Sequence, residues 1–227
     1  MMKHIVKIIL LSISVFCSVG QVSANKLPVY HGVGGDFQME STLEKRVSLS
    51  DFNTKVVLLS FGYTNCSDVC PVTLSFLNNA LNVLGDKADN AQVLFVSVDP
   101  EYDTITHLQK YLAYFNESFV GLTGSKNEIE KAVKLYNIRY SKTSDIQVST
   151  QFRKKKIPKD PSHGMHQGDN GGEHSMHHGQ HDTSSLYSHS TYIYLLDRKG
   201  LVRGIYDTTT DANTLSQAIS SLLEEKE

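Results

Sequence analysis

Val56-Val57-Leu58-Leu59-Ser60-Phe61 is an almost unbroken apolar run, the pattern of a strand buried on both faces. Val93 to Val98 repeats it and predicts a second buried strand. Between them Leu74, Leu77, Leu81 and Leu84 recur at helical spacing, which predicts a helix over about 71–85. Leu108, Tyr111, Leu112 and Phe115 line a second helix, with Asp103 or Thr104 as its cap. Ile129, Ala132, Val133 and Tyr136 line a third, opened by Ser125 and Glu128 as a capping box. Leu215, Ala218, Ile219, Leu222 and Leu223 line a last helix that starts near Asp211. Strands over Thr191 to Leu196 and Leu201 to Tyr206 are joined by Asp197-Arg198-Lys199-Gly200, a strong turn signal. Upstream, residues 25–36 read as an irregular lead-in, and Phe37 to Leu49 as a short hairpin before the core.

The alternation of strands and helices predicts an α/β domain, with a central sheet covered on both faces. Two segments depart from it. Residues 1–24 read as an export signal or a retained anchor. Lys3 and Lys7 precede an apolar stretch from Ile8 to Val19, and Val22-Ser23-Ala24 offers the small side chains of a cleavage site. The stretch is short against the roughly 20 residues of a spanning helix. Residues 143–187 show little apolar periodicity and read as a mobile insertion within the domain over 25–227. An exported chain of this kind belongs in, or facing, the periplasm. The formal charge of −2 gives no electrostatic case for nucleic acid.

The chain has three cysteines, and removal of the leader takes Cys17 with it. Cys66 and Cys70 remain, four positions apart, so a disulfide between them closes too small a loop to stabilise the fold much. That favours redox or metal chemistry. The pair lies where the first buried strand gives way to a helix, and ligands of open α/β sheets bind at such strand ends. Pro71 suits a first helical position, which makes Cys70 a candidate cap whose thiol pKa the helix dipole lowers. Thiolates select Cu(I) or Zn(II), and two sulfurs need a third ligand. His189 precedes the strand Tyr192-Ile193-Tyr194-Leu195-Leu196, which this sheet order can bring beside the strand ending at Phe61.

Phe61-Gly62-Tyr63-Thr64-Asn65-Cys66-Ser67-Asp68-Val69-Cys70-Pro71, Val96-Ser97-Val98-Asp99-Pro100 and His189-Ser190-Thr191-Tyr192-Ile193-Tyr194-Leu195 together resemble the Sco (SenC) family. The likeness covers about residues 34–223 apart from the insertion. It implies a thioredoxin-like fold and help in delivering copper to cytochrome c oxidase. Matched by position, Cys66 and Cys70 are similar to the family's thiolate ligands and His189 to its imidazole ligand for Cu(I) or Cu(II). Asp68 matches an acidic residue between the cysteines. Ser67 and Ser188 depart from the Pro and Asp common at those positions.

Outside the resemblance, His163, Met165, His166, His174, Met176, His177, His178 and His181 crowd a glycine-rich tract. Imidazole and thioether suit copper in either oxidation state, so the tract is a candidate secondary site. Three functions compete. A metallochaperone passes copper to an oxidase subunit or another apo-cuproprotein. A periplasmic thiol–disulfide oxidoreductase uses Cys66 and Cys70 as its catalytic pair on exchange partners. A structural zinc module needs the metal in order to fold.

Overall fold

The computed structural model describes residues 26–138, 140–142, 187–189 and 192–225. The leader and nearly all of the predicted insertion, including every His and Met of its tract, lie outside the described residues. The strands are β1 (Gln38–Ser41), β2 (Arg46–Ser48), β3 (Val56–Gly62), β4 (Ala91–Ser97), β5 (Val120–Thr123), β6 (Tyr140–Lys142), β7 (Tyr187–His189), β8 (Ile193–Leu196) and β9 (Val202–Tyr206). The helices are α1 (Val69–Leu84), α2 (Ile105–Ala113), α3 (Lys126–Leu135) and α4 (Ala212–Glu224).

Seven strands form one sheet in the order β2-β1-β5-β4-β3-β8-β9. β3, β4 and β5 run parallel, and β8 joins β3 antiparallel with Ser60 opposite Ile193. The apolar runs are buried on both faces because alternate side chains of a strand point to opposite sides. Val57, Leu59 and Phe61 of β3 face α3, with Ile129, Ala132 and Tyr136. Val56 and Leu58 face α1 and α4, with Leu74, Leu77, Leu215 and Ile219. The predicted cover on both faces is present, and the β3–β8 neighbourhood is as expected.

The predicted hairpin becomes β1 and β2, but it does more than precede the core. β1 pairs antiparallel with β5 and extends the sheet, burying Phe37, Met39 and Val47. The Ser125–Glu128 capping box forms as predicted. At the Asp197–Gly200 turn, Gly200 takes φ 72°, and Asp197 accepts from the Lys199 and Leu201 amides. That conformation is open to glycine at no steric cost.

β6 and β7 form a separate antiparallel pair, with Tyr140 opposite His189 and Lys142 opposite Tyr187. The chain between Lys142 and Tyr187 therefore leaves and returns at one place.

Candidate metal centre

The site is built where β3 ends. Gly62 closes the strand, and its carbonyl accepts from the Val98 amide just beyond β4. A Cβ on Gly62 would lie 2.8 Å from Cys70 Sγ and 2.8 Å from the Phe95 ring. Glycine is therefore what lets the buried sulfur press against the strand end. The chain then turns, with the Cys66 amide donating to Tyr63 O at 3.3 Å.

Helix α1 begins at Val69, with Asp68 in the cap position and no side-chain capping bond. This corrects the expectation that Cys70 caps the helix. Cys70 is the second helical residue and Pro71 the third, still within the turn whose amides lack intrahelical partners, so the proline costs no hydrogen bond. Thr73 Oγ1 donates back to Val69 O at 2.8 Å.

Neither cysteine is in a disulfide, Cys66 being half-buried and Cys70 buried at 2% exposure. They touch. The Cys70 thiol pKa is pushed up, first because its proton is held in a hydrogen bond to the Cys66 sulfur and then by burial. The expected lowering by the helix dipole is overturned, because the proton is held by the Cys66 sulfur and because a sulfur packed against Gly62 and Phe95 has lost the water that a thiolate needs. Cys70 thus holds its proton until something stronger than solvent takes the sulfur.

Beneath the loop sits a carboxylate that sequence reasoning placed elsewhere. Thr104 caps α2 by accepting from the His107 amide, whereas Asp103 is fully buried. Asp103 Oδ2 accepts from the Thr64 amide at 3.0 Å and from Ser97 Oγ at 2.6 Å, and Oδ1 accepts from Thr64 Oγ1. Burial raises its pKa, although the Ser97 and Thr64 bonds oppose the rise; Asp99 beside it adds to it. Among the described residues no Lys, Arg or His forms an ion pair with Asp103. Its signal in the sequence is position alone, an acidic residue soon after a buried strand parallel to the one that carries the cysteines. Tyr111 approaches from α2, its ring 6.4 Å from that of Phe95 and its hydroxyl buried without a hydrogen-bond partner among the described residues.

The backbone of His189 ends β7, four residues before Ile193, which pairs with Ser60 two residues short of Gly62. At no more than ~3.6 Å per residue, His189 Cα lies within about 14 Å of Ile193 Cα. Its side chain lies outside the described residues, and among those residues no three His, Cys, Asp or Glu side chains form a metal-holding group. Asp68 is exposed. The secondary candidates His163, Met165, His166, His174, Met176, His177, His178 and His181 lie outside the described residues.

A family model described as SCO1/SenC matches residues 28–156, more than half of the chain and inclusive of both cysteines. The chain belongs to the SCO1/SenC family. Protein SCO1 homolog 1, mitochondrial, of Arabidopsis thaliana is 32% identical over 135 residues, 56% of this chain and 40% of that protein. Protein sco1 of Schizosaccharomyces pombe is 27% identical over 190 residues, 83% of this chain and 60% of that protein. The chain thus spans 40% and 60% of the length of these two SCO1/SenC relatives. Bradyrhizobium japonicum ScoI with copper bound is similar in structure at a TM-score of 0.62 and 26% identity, covering 83% of this chain and 98% of that one. Arabidopsis thaliana ScoI with copper bound gives 0.63 and 25% over 85% of this chain. The thioredoxin-like architecture expected from the cysteine and strand motifs is the one these SCO1/SenC structures share.

Proposed function

We propose that this protein is a copper carrier, exported and facing the periplasm, that hands its cargo to the copper centre of a respiratory oxidase subunit. One observation carries the reading. Two uncrosslinked thiols touch at the end of a parallel strand, above a buried carboxylate with no cationic partner among the described residues. Such a place is short of positive charge and rich in soft donors, which suits Cu(I). The copper-bound ScoI relatives support the choice of metal.

Cys66 and Cys70 supply the sulfurs and His189 the nitrogen, leaving an open side through which a receiving protein exchanges ligands. Copper displaces the proton that Cys70 retains, so loading releases protons and tightens as pH rises. The His and Met tract of the insertion adds weaker ligands for further copper.

A second reading rests on the contact between the sulfurs. The half-buried Cys66 thiolate attacks an acceptor disulfide and forms a mixed disulfide, with one acceptor sulfur leaving as a thiol. Cys70 then attacks Cys66, giving the Cys66–Cys70 disulfide and releasing the second acceptor thiol. His189→Ala separates the two readings. A carrier loses Cu(I) affinity sharply in a chelator competition while its disulfide reduction rate holds. A variant with unchanged copper affinity contradicts the three-ligand site.

A further inference from the structure

Thr64 stands two positions before Cys66 and is gripped twice by one side chain, through its amide at 3.0 Å and through its hydroxyl. The same carboxylate takes the hydroxyl of Ser97, the last residue of β4, at 2.6 Å. Its own backbone is anchored too, because the Asp103 amide donates to Asp99 O at 2.9 Å. Asp103 therefore knots three segments, namely the cysteine loop, the end of β4 and the approach to α2.

A buried anion with no cation beside it among the described residues is an expensive way to hold a fold together. An apolar side chain would fill the same volume without losing the hydration of a charge. The knot is also local. Asn65, Ser67 and Asp68 are exposed, and the Cys66 amide donates to Tyr63 O in a local turn. Thr64 fastens the loop to the sheet two residues before Cys66. Cys70 has an independent hold through helix α1 and its packing against Gly62 and Phe95. The separation of the sulfurs is set from one side by the helix and from the other by Asp103.

We infer that Asp103 is a positioning residue, which through Thr64 holds the Cys66 loop so that the two sulfurs stay in contact before any ligand joins them. The metal consequence rests on the copper-carrier reading; the consequence for the dithiol does not. Loss of a group that orients a metal ligand costs ~10–100-fold in affinity, and Asp103→Asn belongs in that range. Thr64→Val keeps the volume and the amide but removes one of the three donors, and costs about tenfold. Thr64→Ser restores the hydroxyl and the affinity.

The test uses the full chain, reduced, with wild type, D103N, T64V and T64S side by side. Cu(I) affinity is read by chelator competition, the Cys66–Cys70 midpoint potential against a glutathione buffer, and stability by thermal melting. A loosened loop makes the disulfide harder to close. The potentials of D103N and T64V therefore become less negative, by about 30 mV for each tenfold change in the dithiol–disulfide equilibrium. Variants that melt earlier but keep both affinity and potential overturn the inference, as does a T64S variant as impaired as T64V. If D103N does not fold, the T64V and T64S pair decides alone. If wild type binds no Cu(I) while T64V still shifts the potential and T64S does not, the positioning role stands and the copper reading falls.

Discussion

At the amino end of β3 the sheet buries a cation, and at its carboxyl end it buries an anion. Arg203, at 3% exposure, donates to Leu27 O and Pro28 O, pairs with Asp197 at 2.9 Å and meets both oxygens of Glu225 at 2.7 and 2.9 Å. Its guanidinium is fully enclosed by acceptors, and the bonds to Glu225 have the parallel geometry that makes such pairs strong. They fasten the lead-in and the end of α4 to β9. Asp103 at the other end is buried as deeply, but its donors are neutral. Two touching thiols lie above it. At one end the buried charge is met by opposite charges, and at the other, among the described residues, it is met by neutral donors alone. We take the first as structural and the second as functional.

The largest expected effect separates the two ends. Arg203→Ala leaves Asp197 and Glu225 without their shared cation and opens the clasp on the lead-in. We expect a loss of about 3 kcal/mol, the low end for breaking a buried pair because both carboxylates keep some water. Denaturant unfolding measures the loss, and Cu(I) affinity should not change. A fall in affinity as large as in the cysteine-loop variants would mean that the two ends are coupled.

Gly62→Ala should do the reverse. The added methyl meets Cys70 Sγ and Phe95 at 2.8 Å, an overpacking worth about 2 kcal/mol. Relief of the clash moves the sulfur, so copper affinity falls together with stability. Unaltered affinity in a folded G62A protein would show that the position of Cys70 does not matter.

The smallest effect compares two carboxylates with similar donors. Like Asp103, Glu128 takes an amide and a hydroxyl from one residue, here Ser125. It also has Arg46 and much more solvent. The Ser125 bonds, followed by Arg46, hold its pKa down at about 2, whereas burial drives that of Asp103 up. A depressed folded pKa stabilises above the unfolded value of 4.5, and that stability is lost as pH falls through about 2. Glu128→Gln should cost about 0.5 kcal/mol at neutral pH, with the difference from wild type vanishing toward pH 2 in urea titrations. The raised pKa of Asp103 has the opposite sign, so its ionisation as pH rises weakens folding. A constant gap between E128Q and wild type from pH 7 to pH 2 would remove the contrast.

Much of the frame was legible because burial leaves a pattern. Val56 to Phe61 and Val93 to Val98 announced the sheet, Ser125 and Glu128 the start of α3, and Asp197 to Gly200 the hairpin. The cysteine pair announced itself by spacing and by its place after β3. What was hidden depended on neighbours distant in sequence. Asp103 and Thr104 are both good cap residues, and only the approach of Thr64 and Ser97 assigns one to the helix and the other to the interior. Arg203 reads as an exposed charge until Glu225 and Leu27 close over it. β6 and β7 are three-residue strands with one tyrosine each, too short for any periodicity. The thiol pKa of Cys70 was misjudged because the helix start promised positive potential, and burial beside a second sulfur outweighed it.

Anaerobic Cu(I) titration of the reduced full chain, with X-ray absorption at the copper edge after the first equivalent, addresses the centre most directly. The first copper should bind tightly with two sulfur neighbours and one nitrogen, and further equivalents should bind more weakly on the His and Met tract. The nitrogen should vanish in H189A, and the two-sulfur shell should vanish when Cys66 or Cys70 is replaced by serine. A first equivalent bound by nitrogen alone, or one indifferent to the cysteines, would contradict the site.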